Sequence, residues 1–219
     1  MGVKELSQVF VERQIREEIN QKEKNEKCGY KNIKVIFDWI AAFLGLIFFL
    51  PILALFSILI KIESRGPVFY TQERVGLNGE IFLIYKLRSM FVNAEEQGPQ
   101  WAKKNDTRIT RVGMFIRKTR IDEIPQFINI LKGEMSLIGP RPERPFFTQQ
   151  FNNEIPGFNE RIKVKPGLTG WAQVNGGYEI NPKEKLELDL FYINNVSLYL
   201  DFHILIKTFN VIVTGNGAR

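Results

Sequence analysis

Residues Trp39 to Ile60 form a run of 22 residues that carries no charge and holds Pro51 near its middle. At a rise of about 1.5 Å per residue, a helix of this length crosses a hydrocarbon core about 30 Å thick. Lys22, Lys24, Lys27, Lys31 and Lys34 precede the run, and Lys61, Arg65 and Arg74 follow it. Positive charge marks the cytoplasmic side of a membrane, and here both flanks carry the mark. Pro51 removes one helical hydrogen bond and sets its ring against the carbonyl of Ile47, which predicts a kink. A helix bent there enters and leaves by one face, provided the freed carbonyls find partners at membrane depth. Three readings compete: a re-entrant hairpin on the cytoplasmic face is favoured over a kinked spanning helix, and a buried core helix comes last. A cleaved signal peptide does not suit a run that starts this deep in the chain with no small-residue cleavage site behind it.

A chain of 219 residues has room for one substantial core but not for two large domains. The net charge of +6 suits a partner that bears phosphates, whether nucleic acid, anionic lipid or a nucleotide, and the apolar run favours the last two. Cys28 is the only cysteine and His203 the only histidine, which excludes an internal disulfide and argues against a zinc site or a Ser/His or Cys/His pair. His203 itself reads as an ordinary helix-surface residue.

Residues 1–33 mix Glu with Lys and Arg around a sparse apolar stripe, the pattern of a solvated helix or partly disordered arm. Beyond the run, Pro67 to Gln72 and Glu80 to Lys86 are rich in β-formers and flank Asn78-Gly79, which predicts a β-hairpin. Residues two apart in a strand share a face, so Lys86 and Arg88 are expected together. Ile121 to Leu131 reads as a helix ended by Gly133, and Pro182 to Val213 as one long helical stretch whose aromatics pack a core in preference to facing a membrane. Between them lie three turn-rich segments, Gly139-Pro140-Arg141-Pro142, Ile155-Pro156-Gly157 and Lys165 to Gly170.

Neither a P-loop nor a dinucleotide-binding glycine turn occurs, so phosphate chemistry has to be built in another way. The strongest candidate is Arg117-Lys118-Thr119-Arg120-Ile121-Asp122-Glu123-Ile124-Pro125-Gln126, where adjacent carboxylates stand among cations at an expected helix start. A structural reading competes on even terms: Thr119-x-x-Asp122 matches a capping box. On the chemical reading, one carboxylate attacks phosphorus and forms an acyl-phosphate intermediate, while its neighbour helps to hold Mg²⁺. Lys86, Arg117, Arg120 and Arg141 are the candidates to grip the phosphate oxygens.

Four segments in order carry a resemblance: Tyr85 to Met90, Arg117 to Gln126, Leu131 to Pro142, and Lys165 to Gly176. Together they resemble the bacterial sugar transferases, the monotopic phosphoglycosyl transferases, over the chain from about Lys34 to its end. The resemblance implies transfer of a sugar 1-phosphate from a UDP-sugar to undecaprenyl phosphate with release of UMP, the first membrane step of exopolysaccharide or other surface-glycan synthesis. It implies Asp122 as the nucleophile, Glu123 as the carboxylate working with it on Mg²⁺, and Lys86, Arg117 and Arg141 as basic site residues, with Arg88, Gln173 and Asp189 carried over less directly.

The implied fold is α+β and predominantly helical. It comprises a charged arm at 1–33, a re-entrant membrane helix bent at Pro51 over 34–62, and a catalytic domain at 63–219 with a small β-hairpin and interfacial helices, on the cytoplasmic face of the bacterial inner membrane. Its partners are the UDP-sugar, undecaprenyl phosphate and membrane lipid, without nucleic acid; the oligomeric state stays open, a homodimer included. Two positions depart from the family pattern: Leu50 precedes the proline where Ser is frequent, and Gly177 follows Val174-Asn175-Gly176 where Arg is frequent. The rivals are a membrane-anchored basic module that binds lipid or nucleic acid, which leaves Asp122-Glu123 idle, and a direct glycosyltransferase releasing UDP, for which Glu187-Leu188-Asp189 is the one faint acidic motif.

Overall fold

A computed structural model of the protein describes the backbone of residues 3–96, 98, 106–176 and 180–214, and side chains from residue 29 onward. The chain divides into two units, Met1–Phe37 and Asp38–Arg219. Helix α1, Val3–Glu63, contributes to both and runs through Pro51 without losing helical backbone. Its Gly29–Glu63 portion is long and apolar enough to cross a membrane, with a mean hydropathy of 2.8 and 11% of its most apolar window buried. That exposure sets aside the buried core helix: Phe48 and Ile62 are 73% and 76% exposed, and in the second unit only Ala42, Leu53 and Ile60 of the run are fully covered. One apolar helix of this kind fits membrane association.

In the second unit the covered edge of α1 is a platform. Gly45 faces the Phe127 ring closely enough that a Cβ there would lie 3.0 Å from it, Phe49 stacks on Phe127 with centroids 6.4 Å apart, and Phe56 stacks on Phe115 at 5.6 Å. Leu53 and Ile60 join Leu87, Ile116 and Ile124 in one apolar cluster. Residues on both sides of Pro51 therefore support the segment that carries Asp122. The helix end is tied down as well. Glu63 accepts from the backbone N–H groups of Arg111 and Val112 at 2.7 and 2.9 Å, holding the start of helix α2, Arg111–Lys118. Thr110 caps the same end by accepting from Gly113 N.

Strands β1, Phe69–Val75, and β2, Ile81–Leu87, pair antiparallel with Tyr70 opposite Lys86. The turn is made at Asn78 and Gly79, whose φ values of 55° and 88° fall where glycine and asparagine are tolerated. Phe82 and Ile84 are buried on one face of β2, and Lys86 continues that face toward the Asp122 segment. Helix α3, Phe127–Leu131, is fastened to the hairpin by Asn129. The Asn129 side chain accepts from Tyr85 N at 3.1 Å and donates to Leu83 O and to Glu134 Oε2 at 2.7 Å each, so a fully buried amide acts as an extra rung on the strand.

Strands β3, Ser136–Ile138, and β4, Gly167–Thr169, form a short parallel pair that brings the Gly139 to Pro142 turn beside the Lys165 to Gly170 turn. The approach needs glycine: a Cβ on Gly139 would lie 2.4 Å from Lys165 O. Helix α4 covers Pro145–Glu154, α5 Trp171–Asn175, α6 Pro182–Asn194 and α7 Leu198–Thr214. The single helix expected from Pro182 to Val213 is thus two. The break follows from Ser197, whose hydroxyl accepts from Leu200 N and starts a new helix, and Tyr192 secures the corner by donating to Asp201 Oδ1 at 2.9 Å. One face of each helix packs on the core, and α7 exposes Leu198, Tyr199, Phe202, Ile206 and Phe209 on the other. His203 sits on α7 between the rings of Trp171 and Tyr199.

Candidate active site

The residues between α2 and α3 do not form the α-helix expected from Ile121 to Leu131. Ile121–Gln126 is a 3-10 turn, and α-helical geometry begins only at Phe127. Pro125 accounts for this, because it lacks an N–H and its ring crowds the preceding turn. Arg120 enters the turn with φ 57° and ψ 17°, a left-handed conformation unusual for a non-glycine residue and worth about 1 kcal/mol or more of strain. The capping box is also absent. Thr119 donates from its hydroxyl to Phe115 O at 2.9 Å, and among the described residues no side-chain hydrogen bond caps the turn, so Asp122 is not held as half of a capping pair.

Asp122 and Glu123 are 7% and 8% exposed, and they meet different surroundings. Lys86 Nζ donates to Glu123 Oε1 at 2.9 Å, Arg141 donates to both Glu123 oxygens, and Arg120 lies 4.0 Å from Oε2. Burial alone would raise the Glu123 pKa, but Arg141 and Lys86 overcome it and hold the carboxyl well below its ordinary range. Burial dominates at Asp122 instead. It raises the pKa, Lys86 opposes it and Glu123 reinforces it, leaving the group at about 6 and ionised at neutral pH. Among the described residues no hydrogen bond or ion pair ends on the Asp122 carboxylate, which lines an open cavity of about 420 Å³. Burial lowers the Lys86 pKa, and Glu123 raises that of Arg141.

Among the described residues nine cationic and four carboxylate side chains line that cavity, a surplus that suits a ligand with several negative charges. Lys86, Arg117, Arg120, Arg141 and Gln173 all reach it. Among the described residues Arg117 Nε and both polar atoms of the Gln173 side chain are buried without a hydrogen-bond partner.

Two expected residues do something else. Arg88 lines the cavity, but its terminal nitrogens donate to Arg65 O, Ser64 O and Ser64 Oγ at 2.8 to 2.9 Å, fastening the two residues that follow α1. Its sequence spacing from Lys86 did not carry it to Glu123, because β2 ends at Leu87 and the side chain turns back toward α1. Asp189 is outside the cavity lining, 1% exposed, and accepts from Arg161 Nε at 2.7 Å. Of the Glu187-Leu188-Asp189 motif, Asp189 is therefore spent on an interior ion pair and Glu187 is exposed.

One side of the cavity, backed by Arg161, is built from contacts that local sequence did not expose. Arg161 Nη2 donates to Arg141 O at 2.9 Å, Arg74 Nη1 donates to Pro142 O at 2.9 Å, and Lys185 pairs with Glu143. Together they fix the Arg141-Pro142-Glu143 backbone that aims Arg141 at Glu123. The three basic side chains had no motif around them; the one available signal was their placement near turn segments that already looked rigid.

The fit of a divalent cation can be judged from the carboxylates. Among the described residues no group of three or more His, Cys, Asp and Glu side chains forms a cage. Mg²⁺ that arrives on phosphates needs only one or two carboxylates; Asp122 supplies one that has no partner among the described residues, while Glu123 beside it already accepts from Lys86 and Arg141.

The profile of the bacterial sugar transferase family matches residues 29–215. The chain is 50% identical over 193 residues to the UDP-N-acetylgalactosamine-undecaprenyl-phosphate N-acetylgalactosaminephosphotransferase of Aeromonas hydrophila, covering 87% of this chain and 46% of the relative. It is 42% identical over 176 residues to the UDP-glucose:undecaprenyl-phosphate glucose-1-phosphate transferase of Escherichia coli (strain K12), covering 78% of this chain and 38% of that one. A protein of the same name from Caulobacter vibrioides is 40% identical over 192 residues, covering 84% of this chain and 71% of the relative. The chain thus spans less than half the length of the first two relatives. With a match across most of its residues, the chain belongs to the bacterial sugar transferase family.

Proposed function

We propose that the protein transfers a sugar 1-phosphate from a UDP-sugar to undecaprenyl phosphate, giving undecaprenyl-diphospho-sugar and UMP. The observation that carries this reading is the contrast between the two adjacent carboxylates: Glu123 is saturated by Lys86 and Arg141, whereas the Asp122 carboxylate faces a cationic cavity with no partner among the described residues. The names of the relatives, which act on undecaprenyl phosphate with UDP-N-acetylgalactosamine or UDP-glucose, support the same reaction class.

In the first step an Asp122 oxygen attacks the sugar-bearing phosphorus. The bond from that phosphorus to the oxygen shared with UMP breaks, and UMP leaves with the bond's electron pair. In the second step an oxygen of undecaprenyl phosphate attacks the same phosphorus and the Asp122 carboxylate is released. No net proton transfer is needed in either step. Burial keeps the Asp122 carboxylate poorly solvated and so reactive, while Lys86 and the nearby Arg117 favour its ionised form. Arg117, Arg120 and Arg141 hold phosphate oxygens, and Gln173 supplies a neutral donor and acceptor. Asp122, with Glu123 beside it, would hold Mg²⁺, and the ion would supply charge neutralisation to the donor phosphates.

The apolar helix has a part in this reading. Its run is proposed to lie re-entrant in the inner membrane and to set the catalytic residues at the cytoplasmic surface, where both phosphates meet. Basic residues at both ends, Pro51, and packing of the Asp122 segment on residues either side of Pro51 support that course. The test of the reaction is the identity of the nucleotide product: UMP is expected from UDP-sugar and undecaprenyl phosphate, and none from Asp122→Asn. UDP as the product identifies a direct glycosyltransferase and overturns the proposal. Cysteines placed at both ends of the run in a Cys28→Ser background should be labelled from the cytoplasmic side only; labelling of the two ends from opposite sides establishes a spanning helix.

A further inference from the structure

The cavity that holds Asp122 extends along β1, and its far wall is a row of polar side chains that the transfer chemistry above does not use. Tyr70, Gln72 and Arg74 alternate onto the face of the hairpin that carries Lys86. Arg74 Nη2 donates to Gln72 Oε1 at 2.6 Å, and Gln72 Nε2 donates to the Tyr70 hydroxyl at 2.8 Å and to Glu95 Oε1 at 3.4 Å. Arg144 closes the row with bonds of 2.9 and 3.1 Å to the two oxygens of Glu95. All five side chains line the same cavity as Asp122. Arg144 stands three residues beyond Arg141, so one loop sets Arg141 on Glu123 and Arg144 on Glu95.

The chemistry of this wall differs from that of the Asp122 end. Arg144 is paired with both oxygens of Glu95, the Arg74 terminal nitrogens donate to Pro142 O and Gln72 Oε1, and Glu95 would repel a phosphate. What remains is a carboxylate, an amide and a phenol held in fixed geometry. Each ring hydroxyl of a sugar is at once donor and acceptor, and such a wall answers both functions. Burial, then the Glu95 carboxylate beside it, raises the Tyr70 pKa and keeps the phenol as a donor. A polyisoprenoid chain offers these groups nothing.

We propose that Tyr70, Gln72, Glu95 and Arg144 read the hydroxyl pattern of the donor's hexose and thereby set which sugar is accepted. The proposal rests on the reading of the chain as a sugar-1-phosphate transferase. The shared chemistry is a vicinal diol, which the ribose of a UDP-sugar also carries, so the experiment separates the two rings.

Full-length protein and the variants Tyr70→Phe, Gln72→Ala and Glu95→Gln are assayed by UMP release with UDP-glucose, UDP-galactose and their N-acetylhexosamine counterparts, and with UMP as inhibitor. The expected result is that the ratio of kcat/KM between preferred and disfavoured sugars falls by about tenfold or more, because a lost hydrogen bond to one hydroxyl removes discrimination. Inhibition by UMP stays as in the parent. A uniform loss across all sugars with the ratio intact overturns the proposal, and so does weakened UMP inhibition in parallel with the loss, which assigns the wall to the ribose. Tyr70→Phe changes one oxygen and carries the test if Glu95→Gln fails to fold. A parent protein that releases no UMP from any sugar refutes the transferase reading itself, before any variant is compared.

Discussion

Replacing Arg161 with Met should both unfold the protein more easily and impair it, and the two effects should separate in a double variant. Arg161 and Asp189 are 5% and 1% exposed and meet at 2.7 Å, while Arg161 Nη2 holds Arg141 O at 2.9 Å. Removing the guanidinium strands the Asp189 carboxylate in the interior, with Lys185 left as a cation acting on it. Breaking one side of a buried ion pair costs about 3–5 kcal/mol. For a chain of this size each kcal/mol moves the midpoint by about 2–4 °C, so the midpoint should fall by roughly 6–20 °C. In Arg161→Met with Asp189→Leu no charge is stranded, and most of the stability should return. Activity should not return, because the Arg141 carbonyl has lost its donor and the side chain that pairs with Glu123 is no longer aimed. Thermal unfolding in micelles, followed by tryptophan fluorescence, gives the first quantity, and UMP release by the folded variants gives the second. A single variant that melts within about 2 °C of the parent, or a double variant no more stable than the single one, refutes the reasoning.

Two further expectations come from the same geometry. Arg88→Gln should destabilise the protein by about 1.5–3 kcal/mol, the value of charged hydrogen bonds to the Ser64 and Arg65 carbonyls, while the KM for UDP-sugar in the folded fraction stays near the parent value; a large KM rise without destabilisation would return Arg88 to the binding site. Burial alone would raise the Glu143 pKa, but Lys185 and Arg161 bring it to about 2. A carboxylate depressed in this way stabilises the fold fully above its unfolded value near 4.5, and that contribution, about 3 kcal/mol, is lost as pH falls toward 2. Unfolding free energy measured across that window should therefore decline less steeply with acid in a Glu143→Gln variant than in the parent; equal slopes would contradict the assignment.

Much of the architecture was readable locally. The uncharged run stands out by length alone, and the hairpin by β-formers around Asn78-Gly79. The Asp122-Glu123 pair is visible because its charges are crowded into ten residues. The interactions that decide roles are not local. Glu143 finds Lys185, Asp189 finds Arg161, and Asn129 bonds to the β2 backbone, each across tens of residues, and spacing along the chain says nothing about such meetings. Arg88 and Asp189 were placed in the site by resemblance, and long-range pairing moved them into supporting positions. Local physics misled in two places. Pro125 and the left-handed Arg120 replaced the expected helix with a 3-10 turn, and Ser197 cut a long apolar helix that hydrophobicity alone would have kept whole. The capping alternative for Asp122 failed for a similarly local reason, since the Thr119 hydroxyl bonds backward to Phe115.

The central claim is that Asp122 takes the phosphosugar covalently. Incubating the protein with its UDP-sugar and no lipid acceptor, then digesting and mapping by mass spectrometry, tests it directly. The account predicts UMP in solution, a peptide containing Asp122 heavier by one sugar phosphate, and loss of that adduct when undecaprenyl phosphate is added. Full turnover by Asp122→Asn, or an adduct mapped to any other residue, contradicts it.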